Sequence, residues 1–223
     1  MGRFDMNIAR KVFQFLDRRY RIRSPLEYQL NKRIPSHLGW TNCFGGITFI
    51  CFMVQAITGI LLAFFYKPTF AEAYPSVLAI MEEVPFGAFV RGLHAWTANA
   101  MIFMAILHML KVFSIGAYRP PREFTWVSGV LLFFITVTFG FSGYLLPLNE
   151  LSYWATTVGT QIAAAFPLVG EYAQAFLLGG SSITGETLTR FYALHVLVLP
   201  AVILILLAAH FAMIRRQGIS EPL

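Results

Sequence analysis

Charged residues are scarce in this sequence and are absent from four long stretches. Only 13% of the 223 residues are charged, 57% are apolar, and the mean hydropathy is +0.63. This composition excludes an ordinary soluble domain, in which about a quarter of the residues are charged. The uncharged stretches each approach or exceed the ~20 residues that cross a bilayer core, and they are residues 38–66, 92–110, 124–149 and 191–214. We therefore predict an all-α integral membrane protein, a bundle of four transmembrane helices.

Cysteine is also scarce. Cys43 and Cys51 lie eight residues apart in the first predicted span, about 12 Å along a helix, which is too far for a disulfide between them. Two cysteines also fall short of the four thiolate ligands of an all-cysteine iron–sulfur cluster. No Cys-x-x-Cys-His motif occurs, which excludes the usual two-cysteine attachment of a c-type haem. The first 37 residues are polar and basic and have no apolar h-region, so we expect no cleavable signal peptide.

The basic residues are distributed unevenly between the two sides of the predicted membrane. Nine of the 17 Lys and Arg precede the first span, three lie between the second and third, and two follow the fourth. Only Lys67, Arg91 and Arg190 remain for the other side. By the positive-inside rule both termini are then cytoplasmic, and the second and fourth spans run parallel, from outside to inside. The net charge of +6 therefore indicates membrane topology and no nucleic-acid partner.

The segments outside the spans lead to three expectations. Residues 1–37 form a separate segment from the transmembrane domain 38–223, and its amphipathic basic part, Ile8–Tyr20, is predicted to lie on the inner membrane surface. The outer connection from Lys67 to Val90 contains three prolines and is predicted to hold no helix of any length. The connection from Leu148 to Thr189 is predicted to form short helices at the outer interface, because a fifth crossing would reverse the fourth span.

Four histidines occupy two of the predicted spans. His94 and His108 are 14 residues apart, and His195 and His210 are 15 apart. On an α-helix these steps rise about 21 to 22 Å and return to within about 40 to 60° of the same face. Ionisable residues inside a membrane are rare and usually functional. Because the two helices are predicted to be parallel, His94 would face His195 at an outer level, and His108 would face His210 at an inner level.

A bis-imidazole b haem fits each of these two gaps, with the four histidines as iron ligands. Zinc fits poorly, because its site needs three or four converging ligands and neither level has a nearby Cys, Asp or Glu. We therefore predict two b haems between the second and fourth spans, about 20 Å apart along the helix axes.

Glycines and cations accompany the histidines. Two glycine pairs repeat the 14-residue interval, Gly45 with Gly59 in the first span and Gly129 with Gly143 in the third. They would allow a flat macrocycle to approach the backbone, although close helix packing explains glycines in membrane helices as well. Cations flank both levels and are candidate partners of haem propionates, with snorkelling end-anchors as the alternative: Arg91 and Arg190 outside, Lys111 and Arg215 inside.

Together these features resemble the cytochrome b6 family, the four-helix haem subunits of b6f-type quinol:electron-acceptor reductases. The likeness begins near residue 35 and covers nearly all of the remaining chain. It rests on the histidines, on the 15-residue step that is typical of b6-type members, and on the following segments: Cys43-Phe-Gly-Gly-Ile-Thr, Arg91-Gly-Leu-His94, Pro121-Arg-Glu-Phe-Thr-Trp126, Gly143-Tyr-Leu-Leu-Pro147, Thr187-Leu-Thr-Arg-Phe-Tyr-Ala-Leu-His195, and His210 to Leu223 with Ile-Arg-Arg-Gln-Gly-Ile-Ser.

The resemblance implies a subunit that carries electrons across the membrane in a Q-cycle. Quinol is oxidised outside and quinone is reduced inside, and the outer haem should have the lower potential because an inward electron moves against the membrane potential. Cys43 matches a family cysteine that holds an additional haem, of c type, by one thioether bond. Ala95, Leu148 and Asn149 depart from photosynthetic members, so menaquinol is favoured over plastoquinol as the substrate.

The resemblance also implies partners. The fourth span is not followed by the Pro-Glu-Trp-Tyr-like acidic motif that accepts a quinol proton in the family. We therefore expect a subunit IV-like three-helix protein, a Rieske iron–sulfur protein and a cytochrome c-type subunit, assembled in a dimeric complex with membrane lipid. The complex would lie in a bacterial cytoplasmic membrane or a thylakoid membrane. Two alternatives remain open at this point, a dihaem b-type anchor of a dehydrogenase or hydrogenase and a transporter with proton-relay histidines.

Overall fold

The computed structural model describes residues 2–21, 23, 24, 27, 31 and 39–218, which belong to two compact units, Met1–Leu38 and Gly39–Leu223. The first unit contains helix α1, Gly2–Tyr20, which begins six residues before the predicted amphipathic segment. Val12 and Phe13 are exposed on this helix, and so are most of its described basic residues. Its placement on a membrane surface stays a prediction, and the predicted boundary at residues 37 and 38 lies outside the described residues.

The second unit is built from helices and turns throughout its described part. A 3₁₀ turn, Trp40–Cys43, leads into the first of eight α-helices, and a π-helical turn, Leu194–Val198, joins the last two. The α-helices are α2 (Phe44–Ala63), α3 (Ala73–Glu82), α4 (Gly87–Ser114), α5 (Glu123–Leu145), α6 (Glu150–Ala164), α7 (Gly170–Leu178), α8 (Gly185–Ala193) and α9 (Leu199–Gln217).

Four helical segments are long and apolar enough to cross a membrane. They are Trp40–Ala63, Gly87–Ser114, Glu123–Leu145 and Gly185–Gln217. The predicted all-α fold with four membrane spans is confirmed. The connection after α5 folds into α6 and α7, whose 15 and 9 residues are too few for a crossing. The prediction of short helices there is therefore also confirmed.

The prediction of a loop without helix at residues 67–90 was wrong. Helix α3 occupies ten of these residues, and α4 begins at Gly87. Pro75 is the third residue of α3, where the backbone N–H has no intrahelical acceptor in any case, so proline is tolerated. Pro85 lies in the turn between the two helices. The three prolines therefore mark helix ends and turns in this connection and do not prevent a helix.

A buried apolar cluster fills the middle of the bundle. Phe52 of α2, Met101 of α4 and Ile203 of α9 pack together, and partly buried residues of α5 pack against them. Met101 is seven residues from each histidine of α4, about 10 Å along the helix in either direction. The cluster therefore lies halfway between the two histidine levels and separates them.

Candidate haem-binding site

The two outer histidines face each other between α4 and the π-helical turn. The ring centroids of His94 and His195 are 6.4 Å apart, and the ring planes are inclined by 70°. Metal–imidazole bonds of about 2 Å on both sides of one ion, plus about 1 Å from each nitrogen to its ring centroid, give about 6 Å. The observed separation therefore suits two axial ligands of a single iron.

The inner level uses the same two helices. His108 lies on the last third of α4 with its ring against Gly45, and His210 lies on α9 with its ring against Gly129. His210 is 9% exposed. The structure thus brings the predicted histidines together as two pairs, one above and one below the central apolar cluster.

Each of the four glycines lies against one of these imidazoles. A Cβ atom added to Gly45 would be 2.9 Å from Cε1 of His108, and one added to Gly59 would be 3.2 Å from Cε1 of His94. On α5 the corresponding distances are 2.6 Å from Gly143 to His195 and 3.4 Å from Gly129 to His210. The glycines therefore leave space for the ligand rings themselves, whereas the sequence interpretation assigned that space to the macrocycle.

Three of the imidazoles contact a hydroxyl group at Nδ1. Thr58 Oγ1 is 2.8 Å from His94, Ser142 Oγ is 3.0 Å from His195, and Ser128 Oγ is 2.7 Å from His210. Each hydroxyl also lies 2.6 to 3.2 Å from a carbonyl oxygen of its own helix, to which it donates its only hydrogen.

These hydrogen bonds select one histidine tautomer. Since the hydroxyl hydrogen is already used, the hydroxyl oxygen accepts from Nδ1–H of the imidazole. The proton of the neutral ring is then on Nδ1, and Nε2 keeps its lone pair for a metal ion, the arrangement found around metal-bound histidines. The donor set, the glycine-lined space and the ring separation all fit haem.

A π-helical turn begins one residue before His195. It spans Leu194–Val198 and ends two residues before Pro200, which supplies no backbone N–H. A π turn inserts one residue into an α-helix, so the 15 residues from His195 to His210 act as 14 α-helical steps. This is the interval between His94 and His108, and the two helices therefore present their histidines in the same register.

Residues 29–218 match the family model for cytochrome b/b6/petB. The chain belongs to the cytochrome b/b6 family. Among relatives, it is 45% identical to cytochrome b6 of Gloeobacter violaceus over 96% of this chain and 99% of that one. It is 43% identical to cytochrome b6 of Prochlorococcus marinus over 98% of this chain and 100% of that one.

A solved structure shares the fold. A chain of a hyperthermophilic respiratory Complex III superposes with a TM-score of 0.86 at 34% identity. The match covers 94% of this chain and 56% of that chain. The predicted resemblance to the cytochrome b6 family is confirmed, and b haems are the cofactors that membership implies.

The four candidate propionate partners of this cytochrome b differ in their contacts. Arg190 donates to the Phe176 carbonyl oxygen and lies over the Phe176 ring, so it holds α8 against the end of α7. Arg91 contacts the Met81 sulfur at 3.4 Å. In the described part of the chain, Lys111 and Arg215 form no ion pair.

Cys43 is exposed and ends the 3₁₀ turn before α2. It precedes Gly45 by two residues, and Gly45 contacts His108, so the thiol is near the inner histidine level. Cys51 is half-buried and packs against the central cluster. Only Cys43 is therefore accessible to a group bound outside the bundle.

Three features were missed by the sequence interpretation, one at the histidine site and two at the ends of the bundle. The three hydroxyl residues immediately precede glycines, as Thr58-Gly59, Ser128-Gly129 and Ser142-Gly143, and this repetition was the available signal. Arg122 donates to the carbonyl oxygens of Gln217 and Gly218 at 3.2 and 2.6 Å, which ties the start of α5 to the end of α9. At the opposite end of the bundle, Tyr66 donates to the Leu146 carbonyl oxygen at 2.6 Å.

Proposed function

We infer that the chain is the dihaem cytochrome b subunit of a quinol:electron-acceptor oxidoreductase. It carries electrons across the membrane, from quinol oxidation outside to quinone reduction inside. The observation that carries this inference is the pair of facing imidazole levels between α4 and the π–α9 segment. Membership of the cytochrome b/b6 family supports this function. It disfavours the two alternatives, a dehydrogenase anchor and a proton-relay transporter, and the described residues provide no observation that favours either.

The residues of the chain have defined tasks in this function. When bound, a b haem at each level supplies a one-electron carrier. His94 with His195, and His108 with His210, would hold the two irons. The four glycines admit the ligand rings, and the apolar cluster around Phe52 and Met101 excludes water between the levels. The two haem sites would therefore lie about 21 Å apart along the helices.

An open cavity at the outer end of the bundle is the proposed position for quinol. Its volume is about 690 Å³, and its lining is Tyr74, Leu148, Asn149, Glu150, Leu151 and Trp154. We favour menaquinol over plastoquinol because two of the departures from photosynthetic members, Leu148 and Asn149, line this cavity. Several apolar side chains of α6 are exposed beside it, namely Leu151, Trp154, Val158 and Ile162, and a partner subunit would cover them.

The proposed complex contains a subunit IV-like protein, a Rieske iron–sulfur protein and a cytochrome c-type subunit. A Rieske cluster needs two cysteines close together, with two histidines as its other ligands. Cys43 ends the turn before α2, whereas Cys51 packs against the central cluster, so we place the iron–sulfur acceptor on another chain. We place both termini on the cytoplasmic or stromal side, as the distribution of basic residues favours, with the amphipathic segment Ile8–Tyr20 on the inner membrane surface.

Turnover measurements on the separate chain and on the complex test the proposal. We expect the isolated chain to bind b haem but to transfer no electrons from quinol to a soluble cytochrome c. Activity is expected when the chain is assembled with its subunit IV-like and Rieske partners. Sustained quinol:cytochrome c reductase turnover by the chain alone would contradict the proposed division of labour. It would place the quinol proton acceptor on Glu150, Glu171 or Glu186.

We further propose that Cys43 holds a c-type haem by a single thioether bond near the inner level. Its exposure and its position two residues before Gly45 support this assignment. Haem should stay with the polypeptide in a denaturing gel and should be lost in Cys43→Ser, with both b haems retained. Cys51→Ser is the matched control, because this thiol is half-buried in the centre of the bundle. Haem staining that persists in Cys43→Ser would refute the assignment.

A further inference from the structure

The hydroxyl contacts are distributed unequally between the two histidine levels. At the outer level both ligands donate from Nδ1 to a hydroxyl, His94 to Thr58 and His195 to Ser142. At the inner level His210 donates to Ser128. Within residues 39–218, no side chain or carbonyl group forms a hydrogen bond with the His108 ring. The outer pair therefore has two such bonds and the inner pair has one.

The residue type at one helical position explains this difference. Each of the three hydroxyls is on the residue before a glycine that contacts a ligand ring. Gly45 contacts His108 in the way that Gly59 contacts His94, and the two glycines are 14 residues apart on α2. The residue before Gly45 is Phe44, whose ring packs on Trp40. Phe44 therefore occupies the position of Thr58 but has no hydroxyl to offer.

A hydrogen bond from Nδ1–H makes an imidazole a more basic ligand. A more basic axial ligand donates more electron density to iron and stabilises the ferric state over the ferrous state, because the ferric ion has the higher charge. Hydrogen bonding around an iron site is accordingly one of the means by which a protein sets its reduction potential. The count of hydroxyl contacts per level thus predicts a difference in potential between the two haems.

We propose that Thr58 and Ser142 lower the midpoint potential of the outer haem, and that the lack of a hydroxyl at Phe44 leaves the inner haem easier to reduce. These residues are positioning residues, since each acts on iron through a histidine. The proposal rests on the dihaem function proposed above. It adds that contacts within this chain make the midpoint potential of the outer haem lower than that of the inner haem, which favours electron transfer from the outer level to the inner one.

Redox titration of the b haems, in membranes that contain the complete complex, tests the proposal. Thr58→Val keeps the branched shape and removes the hydroxyl, so the outer haem should become easier to reduce. The ratio of reduced to oxidised haem at a fixed applied potential should rise, by at most about tenfold, because the hydrogen bond cannot differ between the ferric and ferrous states by more than its whole net strength. Thr58→Ser should restore the wild-type value, and the inner haem should be unchanged in both variants.

A variant that adds a hydroxyl makes the test independent of any damage by Thr58→Val. In Phe44→Ser we expect the inner haem to become harder to reduce, with the outer haem unchanged. The matched control is Thr136→Val, because Thr136 is equally buried on α5 but donates to the Leu132 carbonyl oxygen and contacts no histidine. This variant should alter neither potential.

The outcomes separate this proposal from the proposed function. Unchanged potentials in both Thr58→Val and Phe44→Ser would overturn the role of the hydroxyls, while two b haems per chain would still support the function. A shift of the outer-haem potential in Thr136→Val as large as that in Thr58→Val would also overturn the role of the hydroxyls. It would mean that removing any buried hydroxyl alters the potential, whether or not the hydroxyl contacts a histidine. A wild-type complex without two b haems would overturn the proposed function instead.

Discussion

Replacing His210 by alanine is expected to lower the b-haem content of the chain from two to one. His210 is 9% exposed, and its ring lies against Gly129. Without it the inner iron would keep one protein ligand, whereas His94 and His195 would still face each other at 6.4 Å. The measurement is haem per chain in purified protein, together with the reduced-minus-oxidised visible spectrum of the remaining haem.

His195→Ala is the reciprocal variant and should remove only the outer haem, so the two remaining spectra should differ. Leu204→Ala is the control, because Leu204 is an α9 residue with an exposed side chain that should face lipid. Two b haems per chain in His210→Ala would show that the pairing of levels is wrong. Complete loss of haem in both variants would show that the levels do not bind independently.

Adding a single methyl group at Gly45 should also disrupt the inner site. Alanine is favoured over glycine inside a helix by about 1 kcal/mol, so the substitution should stabilise α2 if space were available. The added Cβ would instead be 2.9 Å from Cε1 of His108, and 3.2 Å from both ring nitrogens. We expect the ring to be displaced from its ligand position, with at least tenfold weaker retention of the inner haem and little change at the outer one.

The neighbouring residue provides a matched control. Gly46 has no atom within 4 Å of an added Cβ, so Gly46→Ala should keep both haems and melt at the same or a higher temperature. Gly143→Ala should affect the outer haem more strongly than Gly45→Ala affects the inner one, because its added Cβ would be 2.6 Å from His195. Equal haem contents in Gly45→Ala and Gly46→Ala would contradict the close approach of imidazole and backbone.

Much of the architecture could be predicted from the sequence because it follows from local patterns. A helix that crosses a bilayer must satisfy its own backbone hydrogen bonds and be apolar over ~20 residues, so the four spans follow from composition alone. The repeated intervals of histidine and glycine identify the bundle face that holds the site. The covalent role of Cys43 came from resemblance, and it stays a prediction.

Other features depended on contacts that no local pattern specifies. A proline interrupts a helix when it lies in the interior and is tolerated in the first turn. The position of the helix start relative to Pro75 depends on where the chain turns, and here Pro75 lies in the first turn of α3. Arg190 donates to a carbonyl oxygen of α7, 14 residues earlier in the chain. This partner could not be predicted from the depth of Arg190 in the membrane. Arg122 likewise finds the end of α9 only because α5 and α9 are adjacent.

The sequence by itself determined which residues form the site, since four histidines and four glycines recur at nearly one interval along apolar helices. Only the tertiary structure decided how they meet. The π-helical turn at Leu194–Val198 absorbs the extra residue between His195 and His210, and the hydroxyls orient three imidazoles and leave His108 without one. The hydroxyl contacts run between helices, so the tautomer of each ring depends on what the neighbouring helix presents and not on a pattern within its own helix.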